Sequence, residues 1–72
     1  MRMCGVFIMS LTLANKLNVG KLFIWKDESF LINSITNLND EAQILNARLV
    51  DYTGKILALS CTYDEFNESV VK

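Results

Sequence analysis

The sequence predicts a mainly β domain, either a small antiparallel meander or a five-stranded barrel, finished by a short C-terminal helical turn. Three observations predict it. Residues 44–63 alternate apolar and polar side chains about the turn Asp51-Tyr52-Thr53-Gly54-Lys55. Residues 21–25 and 30–34 are two short runs rich in aromatic and β-branched side chains, separated by Lys26-Asp27-Glu28-Ser29. Finally, a chain of 72 residues with turn chemistry between several short runs has room for one domain, residues 1–72, and no linker or repeat is present.

Taken in order, Val6 to Leu13 sets Met9, Leu11 and Leu13 on one side and Ser10 and Thr12 on the other, the pattern of a strand with one wet face. Asn15-Lys16 and Asn18-Val19-Gly20 then read as turns around Leu17. The first hairpin follows, with Trp25 set opposite Phe30, Ile24 opposite Leu31, Phe23 opposite Ile32 and Leu22 opposite Asn33. One face collects Phe23, Trp25, Phe30 and Ile32, and the other Leu22, Ile24 and Leu31. Both faces are apolar, so this hairpin is expected to be sandwiched inside a barrel or covered by a partner. Residues 33–41 read as a strand end followed by an Asn-rich loop.

The second hairpin has the firmest register. A three-residue loop ends on a residue at positive φ, which Gly54 supplies without steric cost. Counting back from Asp51 opposite Lys55 pairs Val50 with Ile56, Leu49 with Leu57, Ala47 with Leu59 and Leu45 with Cys61. One face then carries Leu45, Ala47, Leu49, Leu57, Leu59 and Cys61. A one-residue slip would set Arg48 beside Leu57, since such a slip inverts the faces. The competing reading is an α+β fold with a helix at 40–50, because Asp40 and Gln43 have capping spacing and Ala42, Leu45 and Leu49 recur helically. After Tyr63, Thr62 and Glu65 have capping-box spacing, and Phe66 and Val70 lie on one helical face. By analogy of architecture alone, such a set of strands would suit a small barrel of the Src-homology-3-like or Sm-like kind.

Composition bounds the chemistry. The net charge is −1, and residues 40–72 hold six of the eight acidic side chains, which disfavours strong binding to phosphate backbones. There is no histidine, so Ser-His and Cys-His activation and imidazole metal sites are excluded. The glycines are isolated, and Cys4 and Cys61 lack metal-binding spacing, so no cofactor or metal is expected. A carboxylate pair remains the one enzymatic route, with Asp51 or Asp64 meeting Glu65 in space. Two lone cysteines fit a reduced, cytoplasmic protein, with a Cys4–Cys61 disulfide as the alternative. The apolar run at residues 3–14 is too short to span a bilayer, and residues 1–8 read as a dispensable extension before an internal start at Met9. An Asn- and Ile-rich composition without Pro or His would also suit a viral accessory protein.

What remains is adhesion. Half the residues, 51%, are hydrophobic and seven are aromatic, more than one thin core is expected to hide. The expected function is therefore a non-enzymatic protein–protein interaction or regulatory module, self-associating as a homodimer or serving as an assembly subunit. Its expected contact residues are Phe23, Trp25, Phe30 and Ile32, with Tyr52 at the tip of the second hairpin. The plainer reading of the same rings is that they are simply the core of a small barrel. The alternative function is a barrel binding single-stranded nucleic acid or RNA, with Trp25 as stacking platform and Lys21, Lys26, Arg48 and Lys55 as its positive groups.

Overall fold

The computed structural model describes residues 10–71. Four antiparallel strands form a curled half-barrel, in the order β1 (Leu22–Trp25), β2 (Glu28–Asn39), β3 (Ile44–Val50), β4 (Ile56–Thr62). Helix α1 (Leu11–Asn18) precedes the sheet and α2 (Tyr63–Ser69) follows it. The meander and the C-terminal helix are thus as the sequence predicts. No helix among the described residues is long and apolar enough to cross a membrane.

The second hairpin has the predicted register throughout, from Val50 opposite Ile56 to Leu45 opposite Cys61. Gly54 has φ +89°, and its N–H donates to the Asp51 carbonyl at 3.0 Å. Asp51 holds the loop from the other side, its Oδ1 accepting from Thr53 N–H, Thr53 Oγ1 and Lys55 N–H at 2.9, 2.6 and 3.0 Å. The helix considered at 40–50 is therefore absent. Residues 40–43 form a turn instead, with Gln43 at φ +57° and the Ala42 N–H donating to Asn39 Oδ1.

The first hairpin differs from expectation in its turn. Trp25 pairs with Glu28 and Phe23 with Phe30, a register two residues away from the expected one. The loop is only Lys26-Asp27, both at positive φ (50° and 67°), the mirror-image turn that matches the twist of a two-residue hairpin. Because the displacement is two residues, the faces are preserved: Phe23, Trp25, Phe30 and Ile32 still share one side.

Strand β2 runs on to Asn39, through the stretch expected to be loop. Its pairing with β3 shifts between Ile32 and Ser34 and again between Ile35 and Asn37. Each extra residue re-phases the alternation, so Ile32, Ile35 and Leu38, spaced by three, all face the core. The same bulges bend the strand and curl the sheet.

The strand expected at residues 6–13 is helical, from its cap at Ser10, over its described part, residues 10–13. Residues 10–13 are the cap and first turn of α1, and Ser10 Oγ accepts from the Leu13 N–H at 3.1 Å. The rest of that strand, the proposed extension at 1–8, the Met9 start and Cys4 lie outside the described residues. What anchors α1 is Ala14, fully buried, and Asn15. The Asn15 carboxamide accepts from Ile35 N–H and donates to Ile35 C=O, both at 2.8 Å. It therefore stands in for a strand on the β2 edge beyond the end of β1.

Helix α2 closes the concave side. Thr62 and Glu65 form the capping box, with Glu65 N–H donating to Thr62 Oγ1 at 3.0 Å and Thr62 N–H donating to Glu65 Oε1 at 2.9 Å. Phe66 meets Phe23 at 5.2 Å between ring centroids. The chain leaving α2 then bridges Val70 to Phe23 and donates from Val71 N–H to the Leu22 carbonyl, covering part of the β1 edge.

Candidate interaction surface

The alternation that builds the sheet assigns every strand side chain to the concave core or to the outer face. Phe23, Phe30 and Ile32, three of the expected contact residues, are buried in the core with Leu45, Leu49, Tyr63 and Phe66. Trp25 is half-buried, stacked on Phe23 at 5.9 Å between centroids and 27° between planes. The inner ring cluster thus holds the fold together, with the Trp25 edge at its margin.

The outer face carries what the hairpins leave uncovered. Leu22 pairs with Leu31, Leu31 with Val50 and Val50 with Ile56, so one row of aliphatic side chains crosses all four strands. Leu22, Leu31 and Ile56 are 40%, 47% and 49% exposed, and Ile24 on the same face is also open. Beside the Ile56 end, Tyr52 stands 97% exposed at the hairpin tip. Each hairpin's outer residues were legible separately, but only the β2–β3 register joins them into a continuous row.

The positive groups of the nucleic-acid alternative do not converge. Lys26 and Trp25 line an open concavity with Ile24, Ser69 and two carboxylates, Glu65 and Glu68. Arg48 lies on the outer face of β3 in a second concavity, with Thr36, Asn37, Asn46 and Ser60. Lys55 is in the β3–β4 turn, and Lys21 precedes β1. No family model, curated protein or solved structure gives a significant match to this chain.

Three titratable groups are shifted by contacts within the fold. Asp51 is held below the usual carboxylate range, chiefly by the Thr53 hydroxyl and then by the Lys55 and Thr53 N–H groups and the Lys55 charge. Burial, and then the Asp40 carboxylate that accepts from its hydroxyl at 2.6 Å, push Tyr63 up to about 12. Burial, with a smaller contribution from Glu65, pushes the free thiol of Cys61 up to about 11. Asp51 does not meet Glu65, because the whole of β4 lies between them, about 20 Å of strand. Among the described residues, no group of three or more His, Cys, Asp or Glu side chains is placed to hold a metal ion.

Proposed function

We propose that the protein is a small non-enzymatic protein–protein interaction module that self-associates or serves as a subunit of an assembly. The outer row Leu22, Leu31, Val50 and Ile56, with Tyr52 at its end, is its docking surface. The observation that carries this reading is the continuity of the row: single exposed aliphatics are ordinary, whereas a run across every strand of a sheet is a patch. Covering one such side chain fully contributes about 1.5–3 kcal/mol, and half of that remains to be gained here, so the four side chains of the row supply about 3–6 kcal/mol. That amount alone supports only weak association, since it must also offset lost rotational and translational freedom. A cytoplasmic setting belongs to the same reading.

Binding of an apolar fluorescent dye tests the docking surface. The native protein is expected to bind it, and Leu31→Glu, an exposed position, to weaken binding without unfolding the chain. A protein that stays monomeric at high micromolar concentration and binds no dye would refute the reading. The second reading, single-stranded nucleic acid stacked on Trp25, is supported by the half-exposed ring beside Lys26 and opposed by Glu65 and Glu68 in the same concavity. Its sign would be salt-sensitive quenching of Trp25 fluorescence by an oligonucleotide. Absence of quenching at low salt would remove it.

A further inference from the structure

The two edges of the sheet are treated differently. Val70 and Val71 cover part of the β1 edge, while β4 ends the strand order with no partner beyond it among the described residues. Strand β4, Ile-Leu-Ala-Leu-Ser-Cys-Thr, contains no charged side chain and no proline, and its pairing with β3 has no register shift. Charged side chains, proline and bulges are the devices by which exposed edges are ordinarily kept from pairing, and β4 has none of them.

The backbone phase of this edge is defined. Asp51 N–H donates to the Lys55 carbonyl, and Tyr63 N–H to the Gln43 carbonyl. By alternation, Leu57, Leu59 and Cys61 bond to β3, and the N–H and C=O groups of Ile56, Ala58 and Ser60 point away from the sheet. Thr62 N–H, the next in that series, is already satisfied by Glu65 Oε1.

We propose that two copies of this chain pair edge to edge, antiparallel, through β4, with Leu59 on the two-fold axis. Ala58 then lies opposite Ser60 of the second copy and Ile56 opposite Thr62. This in-phase register centres the seven-residue strand on its copy, with Ala58 and Ser60 exchanging the backbone bonds and the Thr62 N–H left to Glu65. Charge selects the antiparallel arrangement. Lys55 precedes the strand and Asp64 and Glu65 follow it, so each end brings a lysine beside two carboxylates of the other copy. A parallel arrangement would place lysine by lysine and acid by acid. The result is one sheet continuous across both copies, with their outer rows on a shared surface. The inference rests on the self-association of the proposed function and adds the strand edge that the aliphatic row alone does not require.

Sedimentation of the full chain at micromolar concentration tests it, with three variants. Ser60→Pro removes an outward N–H and leaves the β3–β4 ladder intact, because proline is tolerated where a strand N–H faces solvent. It is expected to be a folded monomer at concentrations where the native chain is a dimer. Lys55→Glu is expected to weaken the dimer about tenfold, from a charge reversal at both symmetric contacts. Lys55→Glu combined with Asp64→Lys is expected to restore it. A native monomer at all concentrations overturns the pairing, as does a Ser60→Pro protein that remains dimeric or a charge swap without recovery. Should Ser60→Pro fail to fold, the charge series decides alone. Apolar-dye binding, weakened in Leu31→Glu, reports on the outer row independently, so a monomer that still binds dye refutes the edge pairing and spares the docking surface.

Discussion

Replacing Asn15 with Ala perturbs the joint between α1 and the sheet. The carboxamide donates to and accepts from the backbone of Ile35, both at 2.8 Å and partly buried, and also donates to Leu11 C=O at 2.9 Å. The substitution leaves a partly buried N–H and C=O on β2 without this partner. At about 1–1.5 kcal/mol for each lost bond to Ile35, the cost is about 2–3 kcal/mol. For a domain of this size that is a fall in melting temperature of about 10–20 °C. Urea unfolding measures the free energy, and amide exchange at Ile35 localises it: protection at that amide should fall further than at Ala47 on the neighbouring strand. Asn15→Asp is the internal control. Its carboxylate still accepts from Ile35 N–H but sets an anionic oxygen against the Ile35 and Leu11 carbonyls, so it should be no more stable than Ala. An Asn15→Ala protein within 0.5 kcal/mol of native, with Ile35 still protected, a margin about that of a neutral surface change, would refute the anchoring.

Other expectations follow from the same geometry. Gly54 has open space around its missing Cβ and φ +89°, so Gly54→Ala should cost about 1–2 kcal/mol by backbone strain alone and Gly54→Val more; a fully stable Val variant in urea melts would contradict the loop. Asp51 has a depressed pKa when folded, so its contribution is complete above the unfolded value of 3.8 and is lost as pH falls through the folded value. Native stability should therefore drop in acid more steeply than that of Asp51→Asn, and parallel acid titrations would refute this. Tyr63 is raised to about 12, so its contribution is present below the unfolded value of 10 and is lost as pH rises from there through 12. Tyr63→Phe should cost about 1–2 kcal/mol at neutral pH and flatten that alkaline decline, as followed by circular dichroism.

The second hairpin and α2 were legible because their signals are local: Gly54 fixes a loop, alternation fixes the faces, and Thr62 with Glu65 marks a helix start. The first hairpin was readable in its faces but not in its turn, since Lys26 and Asp27 adopt positive φ without glycine. The bulged half of β2 was hidden, because Ile32, Ile35 and Leu38 recur at three rather than two. Helix α1 was hidden for a different reason. Ser10, Leu11, Thr12 and Leu13 alternate like a strand, and what decides their conformation is a cap at Ser10 and the distant partner of Asn15. The candidate surface suffered most. Large aromatic and aliphatic side chains mark Phe23, Phe30 and Ile32, which are core, while the outer row depends on a long-range β2–β3 register that no local pattern carries.

Methyl NMR of the native protein, diluted from millimolar to low micromolar concentration, tests the claim of an outer docking surface most directly. Concentration-dependent shifts centred on Leu22, Leu31, Val50 and Ile56, with the core methyls of Ile32 and Leu49 unmoved, are the predicted result. Shifts confined to the surroundings of Trp25, with that row unchanged, would contradict it.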